Sequence, residues 1–227
     1  MTAAIDRSSV ELVLTDQPPP VPWASKVGGT PYLVQPQEHP LDEHGNPLSF
    51  IAQLNFSDLP NLLGYPESGL LQFFISTMPD VSDCTVLYHP TVAEDWARDP
   101  GDLPPWRPPT PRTSRYRSPW PVEEFTPLVD PAAEFGVAGR IVSQRPAADA
   151  VFGGIRGHRI GGYPNFNQAR SIPEGHVLLF QLDSDPPEPL SRWRILWGDL
   201  GTGRFTISPD DLLRCDFANV HYEWDNG

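Results

Sequence analysis

The sequence predicts a mainly β (α+β) protein in which roll-like antiparallel sheets arise from two tandem related halves, with few short helices. Proline and glycine are frequent, at 29 and 18 of the 227 residues, and this composition favours turns over long helices. Several short runs alternate between apolar and polar residues, as half-buried strands do. A seven-residue motif also occurs twice, which indicates that the two halves of the chain are related.

The repeated motif is Lys26-Val-Gly-Gly-Thr-Pro-Tyr32 in the first half and Arg159-Ile-Gly-Gly-Tyr-Pro-Asn165 in the second. Paired glycines adopt positive φ without a Cβ clash. The proline then favours an extended conformation in the residue before it. Each heptad therefore predicts a strand, a tight turn and an extended exit.

The blocks that follow each heptad also repeat, and they keep their order and spacing. Residues 50–56 resemble 178–184, residues 73–75 resemble 205–207, and residues 86–88 resemble 220–222. We therefore predict a single domain over 1–227 with an internal duplication. The first copy covers about 10–92, a connector about 93–130 and the second copy about 131–227.

In the first copy, strands are predicted at 10–15, 50–56, 69–75 and 85–88, because each is an apolar or alternating run of strand length. Residues 57–63 predict a short helical turn with Ser57 or Asp58 as its N-cap. Residues 91–94 have the form of a capping box and predict a second short helix.

In the second copy, residues 122–129 and 135–143 are weak strand candidates, and 145–152 predict a short helix. Stronger apolar runs predict strands at 177–183, 204–207 and 217–224. Ser208 and Pro209 predict a helix with a serine N-cap and proline at its first position.

Segment 98–121 differs from the rest of the chain because it is rich in proline and arginine. One interpretation is an extended peptide that docks into an aromatic-lined groove of a partner. The other is a long connector between the copies, held to the body by its aromatic residues Trp106, Tyr116 and Trp120.

The formal net charge is −13, and Lys26 is the only lysine. Such a negative field repels phosphate backbones, so we expect no nucleic-acid binding. It favours a basic protein partner, bound cations or simply a solvated acidic surface.

No apolar run reaches transmembrane length, so we expect no membrane association. The first residues have no apolar region typical of a signal peptide, which predicts a cytoplasmic protein. In that compartment Cys84 and Cys215 are expected to be reduced, although a disulfide between them is the alternative.

The main candidate for chemistry is a polar strand face in the second copy. Gln181, Asp183 and Asp185 share one face at a spacing of two residues, and Asp199 lies in the next turn. Carboxylate and amide oxygens are the ligands that Ca²⁺ and Mg²⁺ prefer. We expect no other cofactor.

The first copy has Gln53 and Asn55 at the positions that correspond to Gln181 and Asp183. A cation site would therefore be confined to the second copy. In the alternative interpretation, both glutamines satisfy loop backbone inside the roll and the aspartates cap turns.

A second candidate site is an anion-binding nest at the paired glycines. Consecutive backbone N–H groups there could bind an anion, with Lys26 or Arg159 supplying positive charge. The glycines are Gly28, Gly29, Gly161 and Gly162. Neither stretch matches a phosphate-binding fingerprint, and a purely structural turn is the alternative.

No motif for nucleophilic catalysis is present, and the histidines are scattered. His89 and His221 fall near corresponding strand ends and are candidates for a functional or an edge-capping role. A hydrolase that uses Asp183 with Asp199 stays open, because carboxylate separation is not readable from sequence.

Six segments together resemble the YwqG-like family of uncharacterised bacterial proteins. They are Lys26-Val-Gly-Gly-Thr-Pro, Phe50-Ile-Ala-Gln-Leu-Asn-Phe, Gly69-Leu-Leu-Gln-Phe-Phe-Ile, Arg159-Ile-Gly-Gly-Tyr-Pro, Phe180-Gln-Leu-Asp-Ser-Asp185 and Trp197-Gly-Asp-Leu-Gly201. The resemblance runs from about 10 to 224 and implies a mainly β roll of two related halves, without an activity. Segment 98–121 departs from the family pattern.

The acidic charge without a catalytic motif predicts a non-enzymatic binding protein, such as an immunity-type inhibitor or an adaptor with a basic partner. The alternative is a divalent-metal-binding module or a metal-dependent hydrolase that uses Asp183, Asp185 and Asp199.

Overall fold

A computed structural model describes most of both halves of the chain. The described residues are 6–15, 17–32, 39–42, 45, 47–76, 83–92, 128–129, 134–144, 156–168, 171–185, 195–198 and 200–225. The segment 98–121, the helices expected after Thr91 and at 145–152, and Asp199 lie outside the described residues.

The described elements are short strands with little helix. The strands are β1 Arg7–Thr15, β2 Lys26–Gly28, β3 Ser49–Asn55, β4 Leu70–Ile75, β5 Cys84–His89, β6 Leu128–Val129, β7 Glu134–Gln144, β8 His158–Gly161, β9 Val177–Asp183, β10 Ile195–Leu196, β11 Thr202–Ile207 and β12 His221–Asp225. A 3-10 turn covers Phe56–Asp58, and helix α1 covers Pro209–Leu213.

Ten of these strands form one antiparallel, nearly closed barrel-like sheet in the order β12-β11-β9-β8-β1-β7-β2-β3-β4-β5. The short strands β6 and β10 pair with each other separately. The prediction of a mainly β fold with few helices is therefore confirmed.

The centre of the sheet is the pairing of β1 with β7, in which all nine residues of β1 have a partner. Outside this pair, β8, β9, β11 and β12 follow on one side and β2, β3, β4 and β5 on the other. The two sides have the same succession of antiparallel neighbours. The duplication that the sequence suggests stays a prediction, with which this arrangement agrees.

The register corrects one detail of the sequence match. Val86 pairs with Phe73 and Tyr222 pairs with Phe205, so Val86 corresponds to Tyr222. The sequence pattern alone matches Tyr88 with Tyr222, a difference of two residues. By the same register His89 corresponds to Asp225, because they pair with Leu70 and Thr202.

Aromatic side chains from both halves meet inside the barrel. The Phe73 ring lies 4.6 Å from that of Phe180 and 4.9 Å from that of Phe205, and Phe205 stacks on Tyr222 at 4.9 Å. Each fully buried aromatic side chain contributes roughly 1.5–3 kcal/mol by leaving water. The two sides of the sheet therefore share one apolar core.

The two ends of the sheet approach each other at β5 and the segment before β12. The Cys84 Sγ lies 3.6 Å from the carbonyl oxygen of Val220, and the ring of Tyr88 lies 5.2 Å from that of Phe217. Burial raises the pKa of the Cys84 thiol to about 12, which keeps it neutral. Cys84 and Cys215 are both free thiols.

The short helices and the last strand agree only in part with the sequence predictions. Ser208 caps α1 as predicted, with its Oγ accepting from the Asp211 N–H at 3.1 Å. The helical turn expected at 57–63 is only a 3-10 turn with Asn55 as its cap, because Pro60 disfavours a helical conformation at the residue before it. The last strand begins at His221 rather than at Phe217.

The weak strand candidate at 135–143 is the longest described strand, β7. Its sequence predicts a strand only weakly because Gly136 and Gly139 interrupt the apolar alternation. Both glycines are needed for close packing: a Cβ at Gly139 would lie 2.7 Å from Pro60 Cδ and 2.9 Å from Val10 Cγ1.

Within the described ranges, no helix is long and apolar enough to cross a membrane.

Gly201→Ala should lower the free energy of unfolding by about 3 kcal/mol or more. A Cβ at Gly201 would overlap the carbonyl oxygen of Asp225 and would lie 2.6 Å from that of Trp197. Urea denaturation followed by tryptophan fluorescence measures the change.

Gly175→Ala is the matched control, because Gly175 has φ +80° with open space around its Cβ position. It should lose only about 1 kcal/mol, from the left-handed backbone. Equal losses in the two variants would contradict the tight packing at Gly201.

Candidate functional site

Four of the predicted site residues lie in two rows of polar side chains that cross the sheet. In the second half Arg159 of β8, Gln181 of β9 and Arg204 of β11 are register neighbours. In the first half the corresponding row is Lys26, Gln53 and Gln72. All six side chains are buried. We call these residues the polar layer.

Gln53 binds the backbone on both sides of the first glycine pair. Its Oε1 accepts from the Tyr32 N–H at 2.9 Å, and its Nε2 donates to the carbonyl oxygens of Pro22 and Ala24, each at 2.8 Å. One buried side chain thus satisfies three backbone groups of the 22–32 loop.

Gln181 binds the second heptad in the same way. Its Oε1 accepts from the Asn165 N–H at 2.7 Å, and its Nε2 donates to the Gly157 carbonyl oxygen at 2.8 Å. Tyr32 and Asn165 each end a heptad, and Ala24 and Gly157 each stand two residues before one. The two glutamines therefore hold matching positions of the two loops.

The third member of each row binds the end of the same loop. Gln72 Nε2 donates to the Tyr32 carbonyl oxygen at 2.6 Å, and Arg204 Nη1 donates to that of Asn165 at 2.8 Å. The same structural task is thus performed by a neutral side chain in one half and by a guanidinium in the other.

Asn55 and Asp183 bind backbone near the ends of β3 and β9. Asn55 Oδ1 accepts from the Ser57 N–H at 3.0 Å. Asp183 accepts from the N–H groups of Gly157 and Ser184, at 2.7 and 3.0 Å, and from Thr202 Oγ1 at 2.8 Å. The four buried residues of the predicted polar site, Gln53, Asn55, Gln181 and Asp183, therefore all carry internal hydrogen bonds.

The described residues do not form a complete cation site. Asp185 lies two residues beyond Asp183, with its N–H donating to the Ile195 carbonyl oxygen at 3.1 Å, and Asp199 is outside the described residues. Among the residues with described positions, no three His, Cys, Asp or Glu side chains are grouped to hold a metal ion. The metal site stays a prediction.

The predicted anion nests contain the expected backbone conformation. Gly28 and Gly29 have φ +72° and +70°, and Gly161 and Gly162 have φ +69° and +73°. Such successive left-handed residues need glycine.

Side chains from the two ends of β7 lie against these glycine pairs. The Glu134 carboxylate is 2.8 Å from the position of a Cβ on Gly29, and the Gln144 amide stands against Gly162. Gln144 Oε1 also accepts from the Tyr163 N–H at 2.7 Å. An external anion would therefore compete with these side chains for the turns.

The cation beside the first glycine pair is neutralised inside the protein. Lys26 Nζ lies 2.7 Å from Glu134 Oε1. Burial lowers the pKa of Lys26, and the hydrogen bond to Glu134 opposes that shift. Burial also lowers the pKa of Arg159, against the attraction of Asp183 and Glu11. Both residues belong to the polar layer.

A buried ion pair in the second half was missed by sequence reasoning. Arg204 Nη1 lies 2.8 Å from Asp225 Oδ1, and both side chains are fully buried. Asp225 also accepts from the N–H groups of Asn167 and Gln168 at 3.0 and 3.1 Å, and Arg204 stacks on Phe166. The two partners are 21 residues apart on different strands, so only their strand register could have linked them.

In the first half, His89 occupies the position of Asp225. Its Nε2 lies 3.0 Å from Gln72 Oε1. Burial lowers the pKa of His89, because the charged imidazolium loses hydration. A neutral histidine that donates to Gln72 thus replaces the carboxylate.

Gln181→Leu should lower the free energy of unfolding by at least about 2 kcal/mol, because it leaves the Gly157 carbonyl and the Asn165 N–H without their partner. Chemical denaturation measures the loss. Gln17→Leu, at an exposed position, should change stability by less than about 0.5 kcal/mol. If the Gln181→Leu variant is as stable as that control, the hydrogen bonds of Gln181 to the loop are not needed for stability.

Stability should fall on acidification, and His89 should contribute to the fall. Its pKa is lower in the folded protein than in the unfolded chain, so the unfolded chain binds the proton more readily. The stabilisation is present above pH 6.5 and is lost as the pH falls through the folded pKa.

Unfolding free energies of the parent and His89→Gln proteins, compared between pH 7.5 and 5, isolate this contribution. The parent should show the steeper loss, by up to about 1.4 kcal/mol per pH unit. Parallel curves for the two proteins would contradict the role of His89.

The comparison with curated proteins finds no match to this chain. A family model with the description Domain of unknown function (DUF1963) matches residues 25–226, which include both heptads and both rows of the polar layer. The chain therefore belongs to this family, the domain of unknown function DUF1963.

Proposed function

We propose that this chain is a non-enzymatic, cytoplasmic protein-binding module whose acidic surface meets a basic protein partner, as in an immunity-type inhibitor or an adaptor. The observation that carries the proposal is where the positive charge lies. Lys26, Arg159 and Arg204 are buried in the polar layer.

Burial removes three described cations from the surface. Among the described residues, the carboxylates of Asp183 and Asp225 are buried with them, and the partly exposed Glu134 pairs with Lys26. Of the exposed arginines, Arg140 is paired with Glu11 and Arg214 with Asp211. The remaining exposed carboxylates are thus poorly balanced, and a surface of this kind attracts basic partners at a distance.

The internal hydrogen bonds of four predicted site residues support a non-enzymatic role. Gln53, Asn55, Gln181 and Asp183 all bind groups of the protein itself. A catalytic side chain needs a free donor or acceptor aimed at substrate. The side chains of these four residues use their donors and acceptors within the protein.

The family relationship leaves room for a finer assignment. The ordered set of segments around the two heptads supports a YwqG-like protein within the wider family. This assignment adds no activity, and the binding role does not depend on it.

The metal-binding alternative has one supporting feature, the spacing of two residues between Asp183 and Asp185 at the end of β9. A Ca²⁺ or Mg²⁺ ion at Asp183 would compete with three hydrogen-bond donors for the carboxylate. A metal-dependent hydrolase would meet the same competition. We therefore rank this function second.

Affinity capture from native cell extract, at moderate and at high salt, tests the binding proposal. We expect a stoichiometric basic protein at moderate salt and its loss at high salt, because exposed charges are screened. The charge-reduced control variant combines Glu67→Gln, Glu174→Gln and Asp210→Asn, and so lacks three exposed negative charges of the parent. It should fold like the parent and capture less partner.

A partner that is retained equally by the parent and the control variant at high salt would contradict an electrostatic interface. Empty capture at both salts, together with a rise in melting temperature by Ca²⁺ or Mg²⁺ that vanishes in Asp183→Asn, would favour the metal alternative.

A further inference from the structure

The two halves of the sheet are each completed by a strand from the other half. β1 belongs to the first half by sequence, but it pairs with β8 of the second half, through Ser9 to Leu12. β7 belongs to the second half and pairs with β2 of the first, through Gly136 to Glu134. A side-by-side arrangement would pair β1 with β2 and β7 with β8.

The exchanged strands correspond to each other in register. Gly161 pairs with Ser9, and the matching Gly28 pairs with Glu134. Counting along both strands from these pairs makes Val13 of β1 correspond to Ala138 of β7. Val13 and Ala138 also face each other in the sheet. A two-fold relation between the halves therefore passes through the middle of the β1–β7 pair.

Two further contacts join corresponding positions of the halves. Phe73 and Phe205 hold the same place in β4 and β11, and their rings are 4.9 Å apart. Cys84 corresponds to Val220 by the register of β5 and β12, and Cys84 Sγ contacts the Val220 carbonyl oxygen. The central pair, the core and the seam of the barrel thus agree with one two-fold relation.

We infer that the two halves are obligate partners of each other, as the subunits of a dimer with exchanged first strands would be. Each half, taken alone, would have an unpaired strand edge. The partner that fits this edge is the other half of the chain. Their peptide connection is then dispensable for the folded state.

A separated half would lose both pairing and burial. Without the second half, β1 would have no neighbour and Val10 and Leu12, now buried, would be exposed. Without the first half, β7 would lose β1 and β2, and Phe135 would be exposed. Exposed edges and apolar faces of this kind favour aggregation over a stable separate fold.

The test inserts a protease recognition sequence between residues 104 and 105 of the full chain and cleaves the folded protein. The two fragments should elute together in size-exclusion chromatography and unfold in one transition. After separation in denaturant, neither fragment alone should regain a cooperative transition. Mixing the two should restore it.

Neighbouring substitutions in β7 provide the matched pair of variants. Gly139→Val places side-chain atoms against Val10 and Pro60 of the first half, and it should weaken reassociation of the fragments at least about tenfold. Ala138→Val, at an exposed position of the same strand, should leave the dissociation constant within about threefold.

The inference is overturned if either separated fragment unfolds cooperatively by itself, or if the cleaved fragments part without denaturant. It stands apart from the proposed binding function, because the readout is the association of the halves and needs no external partner.

Discussion

The rest of the structure depends on how two glycine-rich loops are held over a buried sheet face. Each loop carries backbone groups that no strand can satisfy, and burying them unpaired would cost several kcal/mol. Gln53 and Gln181 remove that cost, because an amide offers a donor and an acceptor at once. The glycines, the cations beside them and the ends of β7 are arranged around these two amides.

The two halves solve the same problem with different charges. The first half uses Gln72 and His89, which are neutral when buried, whereas the second uses Arg204 and Asp225 as an ion pair. Since Gln72 shows that a neutral side chain can hold the loop end, Arg204 is not required for that contact alone. Its pairing with Asp225 buries one positive and one negative charge together.

The sequence was informative where residues act through local pattern. It predicted the mainly β class, most strands and the Ser208 cap, because alternation and capping are encoded within a few residues. It named Gln53 and Gln181, since the repeat marked them. It did not reveal the pairing of β1 with β8 or of Arg204 with Asp225. Those contacts depend on the order of the strands in the sheet. Strand β7 was only weakly predicted because its glycines, which allow close packing, interrupt the alternation of apolar and polar residues.

Native-state hydrogen exchange at the amides of Tyr32 and Asn165 tests the central claim most directly. Both lie outside strands, yet their N–H groups donate to the buried oxygens of Gln53 and Gln181. If the two glutamines hold the loops, both amides should exchange only through global unfolding, as slowly as those in β3 and β9. Exchange as fast as at the exposed turn around Gly175 would show that the loops open independently of the sheet.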